Sequence, residues 1–141
     1  MSAWRRIAIE KLPELQKEIS TADGAYGVWI ELRFELERIY AREIVDDSLI
    51  ARIYQYANWC LCQPHDDNLR TAVVVCFYEH LPMSPKVRQD VGRWLSEEDF
   101  RALRPAFCYH LSESEVEDFA REFIAQKQGL SVPHKSRRQK A

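Results

Sequence analysis

The sequence predicts an all-α protein, a single-domain helical bundle or irregular helical array of about six to eight helices over residues 1–129. Three observations carry that expectation. Apolar residues recur at three- and four-residue steps through nearly the whole chain, and the strict alternation of a half-buried strand is rare. Cap signals built on Ser, Asp and Pro stand at the head of most of these stripes. With four glycines and six prolines in 141 residues, the composition is that of a globular chain rather than a disordered one, and the length suffices for a hydrophobic core without disulfide or metal support.

The first stripe is Trp4, Ile7, Ala8, Leu12, Leu15 and Ile19. Pro13 interrupts it, disfavouring helix at Leu12 and suiting the first turn of a new one, so a kink or two short helices are expected. Thr21-Ala22-Asp23-Gly24 is a turn signal with Asp23 as candidate cap. Ala25, Val28, Trp29, Leu32, Leu36, Ile39 and Tyr40 then line one face of a long helix, and Ile30 and Phe34 begin a second apolar patch around its side. Asp46, Asp47 and Ser48 open the next helix, whose stripe is Ile50, Ile53, Tyr54, Ala57, Cys60 and Leu61 and which stops near Gln63-Pro64.

After the polar loop His65-Asp66-Asp67-Asn68, the segment Leu69 to Leu81 is apolar all round in its middle. Val73-Val74-Val75 would suit a buried strand, but no pairing partner is in view, so a central buried helix is predicted. Ser84-Pro85 is a cap with an N1 proline before Val87, Val91, Trp94 and Leu95. Ser96 to Asp99 resembles a capping box, and Ser112 to Glu115 is a full one. The first precedes a helix with Phe100 and Leu103 that Pro105 breaks or restarts before Phe107 and Leu111. The second precedes a helix with Val116, Phe119, Ala120, Phe123 and Ile124, ended by Gly129.

Formal charge is −2, but no acidic residue follows Glu122, and Lys135, Arg137, Arg138 and Lys140 crowd the C-terminal end. Residues 130–141 therefore read as a disordered basic tail, leaving a body of sixteen basic and twenty-two acidic residues. An acidic body repels a polyanion, so nucleic acid is expected at most as a weak contact through the tail. The N-terminus carries charges at Arg5, Arg6, Glu10 and Lys11 where a secretory signal would be apolar, and the longest apolar run, Ala72 to Tyr78, is too short to cross a bilayer. A cytoplasmic protein with four thiols, away from any membrane, is the expectation.

Cys60, Cys62, His65, Cys76 and His80 are the most tempting ligand set, with Cys76 and His80 one helical turn apart. Cys60-x-Cys62 is not the usual zinc knuckle, and cysteines on apolar faces are commonly buried filler. His80 and His110 each fall where the last turn of a helix is expected, a place for a carbonyl-capping histidine. His65-Asp66-Asp67 reads as a helix-start cap rather than a cation loop. No phosphate-cradling glycine loop, nucleophile elbow or zincin motif occurs. No catalytic residue, cofactor or metal ligand is assigned. The alternatives are a metal- or thiol-dependent enzyme using Cys76, Glu79 and His80, and a nucleic-acid accessory protein acting through the basic C-terminal tail.

Phe77 to Leu81 and Phe107 to Leu111 share the pattern Phe-x-x-His-Leu at a thirty-residue spacing; two copies fall short of the three units a helical repeat fold needs. Among four tryptophans, six tyrosines and six phenylalanines, Tyr26, Ile30, Phe34, Tyr56 and Trp59 fall off the main stripes. They are candidates for a second packing face or a partner-binding patch.

Tyr56-Ala57-Asn58-Trp59-Cys60 followed by Val75-Cys76-Phe77-Tyr78-Glu79-His80-Leu81 resembles small bacterial proteins with a helical domain of unassigned function. That resemblance spans Trp4 to Ile124, implies a bacterial protein and supplies no catalytic residue. Size and acidic charge are similar to those of helical immunity proteins that neutralise a toxin. The function expected is a non-enzymatic protein-interaction domain, binding another protein or its own copy.

Overall fold

The computed structural model describes residues 1–130, so the predicted tail beyond Leu130 lies outside the described residues. The fold is all-α: the described residues hold eight α-helices, three 3₁₀ turns and no strand. They gather into two compact units, Met1–His80 and the residues from Leu81 onward.

In the first unit, α1 (Ala3–Lys11) ends where Pro13 forces Leu12 out of helical geometry, at φ −132° and ψ 59°. A 3₁₀ turn, Pro13–Leu15, leads into α2 (Gln16–Thr21), giving the two short helices that Pro13 predicts. Ala8, Leu12, Leu15 and Ile19 bury the shared stripe. The reversal into α3 (Gly24–Ala41) depends on Gly24, whose φ of +66° is open to glycine and strained for other residues. Asp23 occupies the cap position without making the predicted side-chain bond.

Helix α4 (Asp47–Leu61) and helix α5 (Asp67–Cys76) both start on side-chain caps. Asp46 accepts from the Leu49 N–H at 3.1 Å and Asp66 from the Leu69 N–H at 3.0 Å. Three side chains fasten the N-terminal pair down. Arg5 donates to the Ile19 and Ala22 carbonyls at the end of α2, at 2.5 and 3.0 Å. Tyr56 donates to the Trp4 carbonyl at 2.8 Å, and Arg52 grips the Lys11 carbonyl at 3.0 Å and the Glu14 carboxylate at 2.7 and 2.5 Å.

The Val73-Val74-Val75 run is helical, and its helix stops earlier than the sequence predicts. At Phe77 the backbone leaves α geometry, with φ −122° and ψ −68°, and Tyr78–Met83 continues as a 3₁₀ turn containing Pro82. Two things end it: β-branched residues lower helix propensity, and Phe77 reaches into a ring cluster. Phe77 lies 5.0 Å from Trp29, 5.5 Å from Tyr54 and 5.2 Å from Tyr78. Nor is the segment apolar-buried all round, since Val75 is exposed.

In the second unit, the helix expected from Ser84-Pro85 to Leu95 is broken. Pro85 opens the single turn α6 (Pro85–Arg88), Ser84 makes no side-chain cap, and Val91–Arg93 is a separate 3₁₀ turn. Helix α7 (Glu97–Phe107) starts on the Ser96 hydroxyl, which accepts from the Asp99 N–H at 3.0 Å, and runs straight through Pro105. That proline stands near the C-terminal end, where the lost N–H removes one bond from a helix already ending. The Ser112–Glu115 box closes in both directions, at 2.8 and 3.2 Å, and starts α8 (Glu113–Leu130), which continues past Gly129. Phe100, Phe107, Phe119 and Phe123 form the core of this unit at ring separations of 4.1 to 5.2 Å.

Gln126 on α8 holds the irregular stretch in place. Its carbonyl accepts from the Gly92 N–H at 2.6 Å, and its amide donates to the Arg88 carbonyl at 2.9 Å. A Cβ on residue 92 would stand 2.5 Å from the Gln126 Cβ. Gly92→Ala is therefore expected to cost about 1–3 kcal/mol by overpacking, read as a lowered urea midpoint.

The Arg52 guanidinium pulls the Glu14 carboxyl down to about 2 through its hydrogen bonds. A depressed carboxyl contributes stability above its unfolded pKa and loses it as pH falls toward the folded value. Wild type should thus exceed Glu14→Gln at pH 7 by less than about 1 kcal/mol, because the pair is solvent-screened. The gap should close between the ordinary Glu range and pH 2, measured by thermal melts across that window.

Candidate functional site

Helix α3 has one side committed to the core. Val28, Trp29, Leu32, Leu36 and Ile39 are almost fully buried, and Glu35 is buried where Arg38 and Arg42 meet its carboxylate at 3.3 and 3.4 Å. The other side carries Tyr26, Ile30 and Phe34, which keep 39, 37 and 41 % of their surface exposed. Four-residue spacing sets these side chains one above another on a helix surface, over a rise of about 12 Å. The Arg33 guanidinium lies 4.7 Å from the Phe34 ring centroid and pairs with Glu37 at 3.5 Å, giving the row a charged border. Exposed area of this kind amounts to roughly 200–250 Å² for three such side chains, against the ~800 Å² each partner of a stable interface contributes. The row can anchor an interface and cannot make up a whole one.

Two of the five off-stripe residues leave this surface. Tyr56 is fully buried, stacked on Trp29 at 5.3 Å, and Trp59 is half-buried, stacked on Tyr56 at 5.9 Å. The angular position of Tyr56 on α4 faces Trp4 of α1 and Trp29 of α3, which a single helical wheel does not reveal. Among the described residues the buried Trp29 indole nitrogen reaches no acceptor within hydrogen-bond geometry.

The thiols divide into two kinds. Cys60 and Cys76 are buried, and Cys62 and Cys108 are exposed. Burial pushes the Cys60 thiol up to about 12, with only partial relief from Tyr56 and Trp29. Burial also raises the Cys76 thiol, the Arg33 charge working against it and Glu79 with it. The five-residue set Cys60, Cys62, His65, Cys76 and His80 is not assembled, and among the described residues no three His, Cys, Asp or Glu side chains stand in a metal-holding arrangement. Glu79 is buried three residues after Cys76, and His80 is half-buried in the 3₁₀ turn rather than in a last helical turn. His110 likewise lies beyond α7, exposed. Asp66 and Asp67 serve the start of α5, the first as cap and the second paired with Arg70.

On the second unit a shallow cleft of about 160 Å³ runs between α7 and α8, floored by Phe100 and Phe123 and bordered by Arg101 and the exposed Ile124. Tyr109, in the turn that succeeds α7, is 77 % exposed.

Comparison with protein-family models, with curated proteins and with solved structures gives no match.

The division of the thiols has a direct readout. At pH 8 in native buffer, two thiols per chain, Cys62 and Cys108, are expected to react promptly with a disulfide reagent such as Ellman's, and the other two only on unfolding. Four fast thiols in the native protein would contradict the burial of Cys60 and Cys76.

Proposed function

We propose that the chain is a non-enzymatic protein-interaction domain that docks its partner on the outer side of α3, with Tyr26, Ile30 and Phe34 as the anchor. The observation that carries this reading is the exposure of all three on one helix face whose opposite side is fully packed. Aromatic side chains supply large contact area at low entropic cost, and a charged border such as Arg33 and Glu37 suits an interface rim. The acidic balance of the body favours a basic partner, as for small helical immunity proteins of bacteria. Four free cysteines agree with a reducing cytoplasm. No helix among the described residues is long and apolar enough to cross a membrane.

A thiol reaction at Cys76 is less well supported, since attack needs the thiolate and burial favours the protonated form. A role for the basic tail in nucleic-acid binding rests on residues outside the described ones.

Sedimentation of the purified chain, alone and with the product of an adjacent gene, tests the reading. A defined complex is expected, and Tyr26→Asp or Phe34→Asp should weaken it by about 30-fold or more, the loss typical of an anchor residue. Both substitutions sit on an exposed face, so the fold should survive them nearly unchanged in stability. Absence of any complex at the highest soluble concentration, or complexes indifferent to both substitutions, would remove the proposal.

A further inference from the structure

A groove of about 450 Å³ opens on the first unit, lined by residues of the Pro13–Leu15 turn, α2, the C-terminal part of α3 and the start of α4. Apart from Glu35 on α3 and Asp46 at the start of α4, its charges are sorted by wall. Glu14 and Glu18 stand on the side made by the turn and α2, and Arg38 and Arg42 on the side made by α3. Asp46, the cap of α4, adds a further carboxylate to the lining. Leu15 and Leu49, both buried, provide the apolar lining.

The walls do not neutralise each other. Glu14 is taken by Arg52, and Asp46 spends one oxygen on the Leu49 N–H. Arg38 on α3 and Arg42 at its C-cap both turn to Glu35 of that helix, and Glu35, with a side chain only 10 % exposed, is a single charge shared between two. Each arginine uses one nitrogen in that contact, at 3.3 and 3.4 Å, and each side chain is about half exposed. Five N–H donors per guanidinium leave most of both forks open to a second carboxylate. Across from them, Glu18 is half-buried and makes no ion pair among the described residues.

The geometry points to a binding site for a small zwitterion, of amino-acid to dipeptide size, whose carboxylate meets Arg38 and Arg42 and whose ammonium meets Glu18. The volume lies within the usual range for small-molecule sites. An anion alone would face the carboxylates of the acidic side, and a cation alone would face the two guanidiniums, so a molecule carrying both charges at its ends fits best. An aliphatic centre is accommodated by Leu15 and Leu49. This site uses none of the Tyr26, Ile30 and Phe34 anchor and stands whether or not a protein docks there.

The test uses glycyl-leucine as probe and amide-resolved NMR of the full chain as readout. Saturable shifts are expected at residues 14–18 and 35–49, with a dissociation constant of about 1 mM or tighter. N-acetyl-glycyl-leucine and glycyl-leucine amide, each lacking one end charge, should bind about tenfold more weakly, as should Glu18→Gln and Arg42→Gln with the parent dipeptide. Arg38 still holds Glu35 in the Arg42 variant, so a native spectrum separates loss of binding from loss of fold. Capped peptides binding as well as the zwitterion, shifts elsewhere on the chain, or no saturable shifts at about twenty times that concentration would overturn the assignment.

Discussion

The first unit is organised around the Trp29 ring. Its indole lies between the stacked ring of Tyr56 and the tilted ring of Phe77, so a single side chain on α3 fixes where α4 and the end of α5 must pass. Each such pair adds about 0.5–1.5 kcal/mol beyond simple burial, and the area buried by three large rings adds several more. From this ring the constraint passes outward along the chain. With Tyr56 held under Trp29, its hydroxyl is set to take the Trp4 carbonyl and hold α1. With Phe77 drawn inward, α5 cannot continue, and the backbone turns out of helix one residue after Cys76. Cys60 is sealed beneath the same rings, which is why its thiol is held protonated.

The second unit solves a smaller version of the same problem with four phenylalanines and one amide. Phe100 and Phe123 stack at 4.1 Å, and Phe107 and Phe119 close the cluster edge to face. The irregular run from Pro85 to Arg93 leaves backbone groups that no regular helix satisfies, and buried backbone polar groups are costly when unpaired. Gln126 takes one N–H and one carbonyl from that run, and Arg88 then spends its guanidinium on Glu122 through two 2.7 Å bonds while lying over Phe119. Glycine at position 92 is what lets Gln126 approach so closely.

Much of this was legible because helix faces and caps are local. The buried side of α3, the Asp46 and Asp66 starts, the break at Pro13 and the Ser112–Glu115 box all arise from residues within a turn or two of one another. Elements decided by distant contacts were not legible. The early end of α5 depends on Trp29, far away in sequence, and the burial of Tyr56 depends on two helices that a wheel drawn for α4 alone omits. Ser84 and Asp23 have the right chemistry for caps, yet a proline at N1 and a glycine at positive φ fix those two helix starts without them. Pro105 reads as a breaker by composition, but a proline near the end of a helix removes little. For the surface, the off-stripe rule found Tyr26, Ile30 and Phe34. The polar groove escaped it, because its walls come from four elements that no single periodicity links.

Tyr26, Ile30, Phe34 and Arg38 fall on one four-residue series along α3, and Arg42 follows at the same spacing as the helix's C-cap, so the two surfaces are continuous in sequence and distinct in space. Each step of four residues advances about 6 Å along the axis and drifts about 40° around it. From Ile30 to Arg38 the drift reaches about 80°, turning the series from the open side of the helix toward the side where Glu35 is buried and α2 forms the opposing wall. The apolar end and the arginine end therefore lie on different sides of the helix. The same drift accompanies the switch in residue type, from the exposed Tyr26, Ile30 and Phe34 to Arg38 and Arg42, whose charges meet the buried Glu35.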